Sequence, residues 1–218
     1  MHDPWQIWLA SPPAAAHFDP GAQSFEDQRR WQRLHGSRDR EDWKVSRALL
    51  AHVRPGEVPR SLSHSGGHAA LAIGPPGALV GVDIERIDER RDCLRLARFA
   101  FADEEAEQIG ALPADARTER FYVLWTLKEA CIKALGLTLL DGLRRCVFTV
   151  HGERWRAEIP TGSRWAARVY RPRPSHYLGL FAITPDGEPQ WSENEWPQPS
   201  AVSWPRPVTL VSTQHQCR

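Results

Sequence analysis

The feature that most constrains the fold is a pair of apolar, strand-like segments separated by the turn sequence GPPG at residues 74–77. The segment SLSHSGGHAALAI precedes this turn, and ALVGVDIERI follows it. Turn-forming residues between two such runs predict a β-hairpin. Because helical patterns stand on both sides of the hairpin, the chain is predicted to have an α+β architecture.

The rest of the chain divides into helical and strand-like stretches. The predicted helices have apolar residues at three- and four-residue spacing and cover residues 24–53, 88–112 with a break at 101–105, and 115–135. The predicted strands are QIWLA near the start and the runs RRCVFTV, RWAARVY and HYLGLFAIT, and we expect these last three to form one sheet. The later residues are rich in Pro, Trp, Gln and Ser, which predicts an extended tail that packs through its tryptophans.

Composition and charge exclude several classes of protein. Hydrophobic residues make up 41% and charged residues 25% of the 218 residues, which disfavours disordered, collagen-like and coiled-coil chains. The formal net charge is only +1, so the chain has no overall field to attract nucleic acid or a membrane surface. The lack of a long apolar run and the acidic start predict a cytoplasmic protein. The four cysteines have no metal-ligand or disulfide spacing, and we expect buried thiols.

Two carboxylates project from one face of the strand ALVGVDIERI. The two-residue period of a strand places Gly81, Asp83 and Glu85 on the face opposite Val82 and Ile84. An amphipathic strand with its acids in solvent explains this pattern equally simply. The nearby glycine favours a ligand site, because it leaves room beside the carboxylates. Oxygen ligands of this kind suit Mg²⁺.

The helix ERFYVLWTLKEACIKALG carries a second set of polar residues. Trp125, Glu129 and Lys133 follow one another at four-residue spacing, beside the stripe predicted to be buried. An ordinary surface ion pair between Glu129 and Lys133 is the alternative, but the tryptophan favours the edge of a cleft. The chain has only three lysines among its 28 basic residues, and two of them, Lys128 and Lys133, lie in this helix. Lys128 is also explained as a side chain lying over apolar surface.

The segment SLSHSGG, residues 61–67, is a third candidate. Its hydroxyls, glycines and histidine at the mouth of a strand can offer hydrogen-bond donors to a phosphate group. A plain turn explains the same composition.

In the order SLSHSGG, GVDIE, FADEE and WTLKEACIK, these motifs resemble the 4′-phosphopantetheinyl transferases of the Sfp-like class. The resemblance spans roughly residues 46–150 and implies two similar α+β halves, related by a pseudo-twofold axis, with the active site in the cleft between them. We therefore expect an N-terminal half at 1–78, a C-terminal half at 79–185 that carries the metal site, and a Pro/Trp-rich tail at 186–218.

The resemblance also implies the activity. Such enzymes transfer the 4′-phosphopantetheine arm of coenzyme A to a serine of an apo acyl or peptidyl carrier protein, release adenosine 3′,5′-bisphosphate, and use Mg²⁺, with Mn²⁺ as a second candidate. The resemblance implies that the metal is held by Asp83, Glu85 and Glu129, and that Glu129 is also the base. Contacts with coenzyme A are assigned by position to Lys133, His64, Ser63 and, in support, Lys128, while Trp125 shapes the cleft. Carriers of fatty acid, polyketide and nonribosomal peptide synthesis are all candidates.

The chain departs from the pattern of this family in one region. Before SLSHSGG only HVRPGEVPR intervenes, where these enzymes carry a longer segment with a basic turn. In the first helix Arg40 matches a basic position of the family, but Asp42 stands where a second arginine is usual. We expect Arg47 or Arg60 to take over the phosphate contact.

Two other functions fit the same residues. A magnesium-dependent coenzyme A pyrophosphate hydrolase would use the carboxylates with water as the nucleophile. An inactive homologue would only bind carrier proteins, although a binding module has no need for the acidic set and both lysines. The two-half organisation favours a monomer.

Overall fold

The computed structural model describes residues 5–152, 154–184, 189–197 and 208–211 of the chain, and its architecture is α+β, as predicted. The helices are α1 (Phe25–Arg33), α2 (Ser37–Val53), α3 (Cys93–Ala100), α4 (Asp103–Gly110), α5 (Ala114–Leu135) and α6 (Leu139–Arg145). The strands are β1 (Trp5–Ala10), β2 (Arg60–Ser65), β3 (His68–Ile73), β4 (Leu79–Arg86), β5 (Val147–His151), β6 (Arg154–Glu158), β7 (Trp165–Arg173), β8 (His176–Ile183), β9 (Trp191–Trp196) and β10 (Val208–Val211). None of the helices in these ranges combines the length and apolar character needed to cross a bilayer.

The same arrangement of strands and helix occurs twice. In the first unit β1, α2, β2 and β3 follow in sequence, and the strands lie in the order β2-β3-β1. In the second unit β4 leads through α5 to β7 and β8, and the order is β7-β8-β4. In both units the last strand lies in the middle and pairs antiparallel with its two neighbours. The expectation of two similar α+β halves is therefore confirmed.

The predicted hairpin around GPPG is wrong. Strand β3 pairs with β1 and β2, whereas β4 pairs with β8, so residues 74–77 connect two different sheets. The true hairpin lies within SLSHSGGHAALAI, where Gly66 and Gly67 join β2 to β3 with φ values of 57° and 80°. Two consecutive residues with positive φ suit a two-residue hairpin turn, and glycine adopts that conformation without strain.

The predicted helix at 24–53 is two helices. Helix α1 ends at Arg33, and α2 begins at Ser37 after Leu34, which has extended backbone, and Gly36, which is the N-cap. The helix predicted at 115–135 is confirmed as α5, which ends at Gly136 in the left-handed conformation. The predicted break at 101–105 separates α3 from α4.

The three late strands do not form one sheet. Strands β7 and β8 pair with each other, and β8 pairs with β4, but β5 pairs with β6 in a separate two-stranded sheet. In the predicted tail, β9 lies parallel to β1 and β10 lies antiparallel to β7, so described parts of the tail extend both large sheets. The ring of Trp191 packs 5.1 Å from that of Trp5. The sheet changes between β3 and β4, near the predicted boundary at 78/79, and the division into domains stays a prediction.

The three cysteines in the described part of the chain, Cys93, Cys131 and Cys146, are buried and free, as expected. Cys217 lies outside the described residues.

Helix α5 lies against β4 and β8 at very short range, and glycines make this possible. A Cβ atom on Gly81 would lie 1.8 Å from the carbonyl oxygen of Ala130, and one on Gly179 would lie 2.4 Å from that of Thr126. The space beside Gly81 is therefore filled by the helix backbone, and the expectation that it leaves room for a ligand is wrong. The close approach instead brings the polar stripe of α5 to the carboxylates of β4.

We expect Gly81→Ala to destabilise the protein by at least about 1–3 kcal/mol, the range for overpacked cores, because α5 must move away from β4. Urea unfolding followed by circular dichroism measures this change. Gly152→Ala is a partial control, since a Cβ atom there meets nothing within 4 Å, although its φ of 63° adds some strain. Equal stability of Gly81→Ala and wild type would contradict the close packing.

Candidate active site

Three carboxylates meet where α5 crosses β4. Asp83 and Glu85 project from β4, and Glu129 projects from α5. Each offers an oxygen atom that lies within 4.8 Å of an oxygen of the other two. Asp83 is 3% exposed, whereas Glu85 and Glu129 are half-buried at the edge of the cleft. The structure therefore brings together the three acids singled out in the sequence, and these side chains are not a solvated strand face.

Lys133 is bound into this cluster. Its Nζ atom donates to Asp83 Oδ1 at 2.7 Å, to the carbonyl oxygen of Val82 at 3.1 Å and to Ser63 Oγ at 3.2 Å. The Ser63 hydroxyl in turn donates to Asp83 Oδ1 at 2.8 Å. The ion pair of Lys133 is thus made with Asp83, and the alternative of a surface pair with Glu129 is wrong. With a side chain 30% exposed, Lys133 is at the margin of the cleft, where a ligand can reach it.

The segment SLSHS is a strand, β2, and its serines face β4. Ser61 Oγ accepts from the Val82 amide at 3.1 Å. Ser65 Oγ donates to Glu85 Oε2 at 3.1 Å and accepts from the Arg86 amide at 3.1 Å. The expectation of a loop at the mouth of a strand is therefore corrected. Spacing of two residues between the serines was the available signal for a strand with one hydroxyl-bearing face.

Burial and mutual repulsion disturb the ionisation of the acids. Burial first and the charge of Asp83 second raise the pKa of Glu85 to about 7. The same two causes, in the same order, raise the pKa of Glu129 to about 7, and the neighbouring Lys133 and Trp125 oppose them. Burial also raises the pKa of Asp83, against the ammonium of Lys133. Perturbed carboxylates in a cleft are typical of functional sites.

The cluster fits a divalent cation. Asp83 Oδ2 is buried and has no hydrogen-bond partner among the described residues, although a buried carboxylate oxygen is costly without one. A cation at the cluster supplies that partner and relieves the repulsion that raises the pKa values of Glu85 and Glu129. Because every donor is a carboxylate oxygen, the site suits a hard ion such as Mg²⁺ or Mn²⁺.

A second group of polar residues lies on the other face of β2, towards α1 and α2. His64 is half-buried, and burial is the main cause that lowers its pKa. The carboxylate of Asp42 opposes this effect, whereas the cations Arg47, Lys133 and Arg30 lower the pKa further. Two of these cations lie over one indole ring.

The guanidinium carbons of Arg47 and Arg30 lie 3.9 and 4.9 Å from the ring centre of Trp43. Arg47 also pairs with Asp27 at 3.0 Å. Burial lowers the pKa of Arg47 despite this pairing. This basic cluster, Arg30, Arg47 and His64, adjoins the carboxylate site through β2, because His64 lies between Ser63 and Ser65, which bind two of the carboxylates.

Arg40 and Arg60 are engaged elsewhere. Arg40 donates to the carbonyl oxygen of Leu34 at 2.7 Å and lies over the ring of Trp31. Arg60 donates to the carbonyl oxygen of Gly56 at 2.7 Å. Of the two substitutes named from the sequence, Arg47 is the one whose charge reaches His64.

Lys128 does not reach the site. Its ammonium is fully buried on a different side of α5, where it pairs with Glu105 at 2.6 Å and donates to the carbonyl oxygens of Leu143 and Cys146. Successive residues of a helix are about 100° apart, so Lys128 and Glu129 project in different directions. The assignment of Lys128 to coenzyme A is therefore corrected.

Trp125 lies on the same side of α5 as Glu129 and is half-buried. Its ring packs 5.5 Å from that of Phe121 and 6.1 Å from that of Phe101. It thus forms one wall beside Glu129, as the sequence predicted for a cleft.

Sequence reasoning missed two residues at this site. Asp42 accepts from the amides of Gly66 and Gly67, so the residue that replaces an expected arginine holds the β2–β3 turn. Arg30 lies in α1, and the sequence alone does not distinguish it from the other arginines of this helix.

The structure thus combines two similar sheet-and-helix units with a cluster of three carboxylates, suited to a divalent cation, at their junction. Residues 79–177, which include β4, α5 and all three carboxylates, match the model of the 4′-phosphopantetheinyl transferase superfamily. This region of the chain is therefore similar to that superfamily, and the Sfp-like class stays a prediction.

Curated relatives agree with the match. The 4′-phosphopantetheinyl transferase AcpT of Escherichia coli K12 is 35% identical over 115 residues, which cover 44% of this chain and 58% of the relative. The L-aminoadipate-semialdehyde dehydrogenase-phosphopantetheinyl transferase of Xenopus laevis is 38% identical over 96 residues, which cover 41% of this chain and 32% of the relative. The phosphopantetheinyl transferase of Thraustochytrium is 31% identical over 121 residues, which cover 50% of this chain and 42% of the relative. The chain thus spans about a third to just under three fifths of the length of these relatives.

Proposed function

We propose that the protein transfers the 4′-phosphopantetheine arm of coenzyme A to a serine hydroxyl of an apo acyl or peptidyl carrier protein. One observation carries the proposal: the oxygen atoms of Asp83, Glu85 and Glu129 lie within 4.8 Å of one another in the region that matches the superfamily. Phosphoryl transfer mainly requires charge neutralisation and alignment, and this cluster with Lys133 beside it supplies both. We also propose that the protein acts as a monomer in the cytoplasm.

Asp83, Glu85 and Glu129 would hold Mg²⁺, with Mn²⁺ as a substitute. When bound, the ion neutralises charge on the pyrophosphate of coenzyme A and so favours attack at phosphorus. Asp83 is oriented for this task by Ser63 and Lys133, which both bind its Oδ1 atom and leave Oδ2 available.

The reaction needs a base and a place for the leaving group. The carrier serine oxygen bonds to the β-phosphorus of coenzyme A, and its proton passes to the Glu129 carboxylate, which lies half-buried at the edge of the cleft. The bond from this phosphorus to the bridging oxygen breaks, and adenosine 3′,5′-bisphosphate leaves with the electron pair. Lys133 stabilises the negative charge on the phosphate oxygens. No covalent intermediate with the protein is required.

The basic cluster would bind the remaining phosphate groups of coenzyme A. His64 and Arg47 are candidates from the sequence, and Arg30 joins them because it shares the Trp43 ring with Arg47. Lys128 has no part in this proposal, and neither Arg40 nor Arg60 is assigned to it.

For this reason Arg47→Ala is expected to raise the KM for coenzyme A by about tenfold, since a hydrogen bond to a charged group contributes about 1.5–3 kcal/mol. The matched control is Arg40→Ala in the same helix, which should leave the KM for coenzyme A unchanged. Steady-state kinetics at saturating carrier protein measure both values. If the two variants behaved alike, the assignment of Arg47 would fail.

A cavity of about 780 Å³ opens next to Glu85, and its lining includes four arginines and four acids: Arg86, Arg90, Arg91, Arg171, Asp42, Glu85, Asp88 and Glu89. This lining is mixed in charge and does not by itself select an acidic partner. Because the cavity adjoins the carboxylate site, we propose that the carrier protein docks on this side of it.

The proposed function is tested by intact-mass analysis of several apo carrier proteins after incubation with the protein, coenzyme A and Mg²⁺. We expect each true substrate to gain the mass of one phosphopantetheine group, and the gain to vanish with EDTA. Release of free 4′-phosphopantetheine without carrier modification would instead identify a pyrophosphate hydrolase. Carrier binding with no turnover of coenzyme A would identify an inactive homologue.

A further inference from the structure

The two large sheets meet edge to edge through serine hydroxyls. Strand β2 is the edge of one sheet, and β4 is the edge of the other. Ser61, Ser63 and Ser65 face β4, and each makes a hydrogen bond to it. These three contacts differ in kind: Ser61 binds only backbone, whereas Ser63 and Ser65 each bind one of the clustered carboxylates.

The position of Ser65 is fixed by contacts on both sides of it. The His176 ring donates from Nε2 to the Ser65 carbonyl oxygen at 3.2 Å. The amides of Gly66 and Gly67, the next two residues, donate to the Asp42 carboxylate. Residues from β8 and α2 therefore fix the end of β2 on both sides of the Ser65 hydroxyl.

The hydroxyl of Ser65 has a single hydrogen, and its direction is fixed as well. The amide of Arg86 donates to Ser65 Oγ at 3.1 Å and so occupies a lone pair of this oxygen. The hydrogen is then directed at Glu85 Oε2, which lies 3.1 Å away. This contact restrains the rotation of a carboxylate that has no ion-pair partner among the described contacts and is repelled by Asp83 and Glu129.

We propose that Ser65 is a positioning residue, which orients Glu85 for the divalent cation and thereby sets the affinity of the site. The inference rests on the metal site of the proposed function. Partners that orient a ligand typically change metal affinity by about 10–100-fold when they are removed. The hydroxyl of Ser61 lies in the same row but touches no carboxylate, so it should not share this effect.

The test is a titration of the whole protein with Mn²⁺, with free Mn²⁺ followed by electron paramagnetic resonance, alone and with coenzyme A. The variants are Ser65→Ala, Ser65→Thr, which keeps the hydroxyl, and Ser61→Ala as the matched control. For Ser65→Ala we expect the Kd for Mn²⁺ to rise about tenfold or more. Ser65→Thr and Ser61→Ala should bind Mn²⁺ nearly as the wild type does, and thermal unfolding checks that all variants are folded.

Unchanged Mn²⁺ binding by Ser65→Ala would overturn the proposal. So would an equal loss in Ser61→Ala, which would assign the effect to the junction of the sheets, and so would a Ser65→Thr variant as weak as Ser65→Ala. Because this titration needs no carrier protein, its outcome is separate from that of the transfer assay. A wild-type protein that binds Mn²⁺ and modifies no carrier would contradict the proposed function alone.

Discussion

Replacing Asp83 by Ala is expected to lower kcat/KM for phosphopantetheine transfer by about 10²-fold or more, the loss typical of removing one preorganised electrostatic contact. Asp83 is the most buried of the three clustered acids, and its Oδ2 atom has no partner among the described residues. The substitution removes this oxygen and also leaves Lys133 without its ion pair. The measurement is steady-state transfer to a carrier protein identified by the mass assay, at several Mg²⁺ concentrations.

Two further variants make this result specific. Asp83→Asn keeps the size of the side chain but loses its charge, so a similar loss of activity would assign the effect to the charge. Asp141→Ala removes an exposed aspartate that pairs with Arg145 on α6, and we expect normal transfer. Near-normal activity of a folded Asp83→Ala protein would contradict the assignment of the site.

Local periodicity predicted the two parts of the carboxylate site, because it determines which side chains share a face, and the family resemblance predicted that these parts meet. Asp83 and Glu85 are two residues apart on a strand, and Glu129 and Lys133 are four apart on a helix. The meeting of these two faces depends on the fit of Gly81 and Gly179 against the backbone of α5. That fit involves residues about 50 positions apart, and no local pattern encodes it.

The errors in the predicted fold have the same origin. The GPPG turn is a strong local signal for a hairpin. The pairing partners of β3 and β4 depend on long-range contacts, however, and the two strands belong to different sheets. Ser61, Ser63 and Ser65 alternate as a strand requires, yet the glycines that follow favoured a loop. In both places the structure was determined by the pairing between strands and not by the composition of the turn.

Lys128 illustrates how far a motif can mislead when the direction of a side chain is unknown. It is adjacent in sequence to Glu129, but its ammonium is 0% exposed and is enclosed by Glu105 and two backbone carbonyl groups. Glu105 is equally committed, because Oε1 accepts from the Phe148 amide and Oε2 from the Ala102 amide. The pair ties α5 to α4 and to the start of β5.

Lys128→Ala is therefore expected to lower the free energy of unfolding by about 3–5 kcal/mol, because it leaves a buried carboxylate without its counter-charge. Lys44→Ala is the matched control: its ammonium lies 3.6 Å from Glu41 on the exposed face of α2, and exposed pairs contribute about 0–1 kcal/mol. Denaturant unfolding at pH 7 measures both changes. The KM for coenzyme A should be unchanged in whatever fraction of Lys128→Ala remains folded. A stable Lys128→Ala protein with a raised KM for coenzyme A would reverse this conclusion and return Lys128 to the phosphate site, since a lysine that contacts substrate loses binding and not folding when it is truncated.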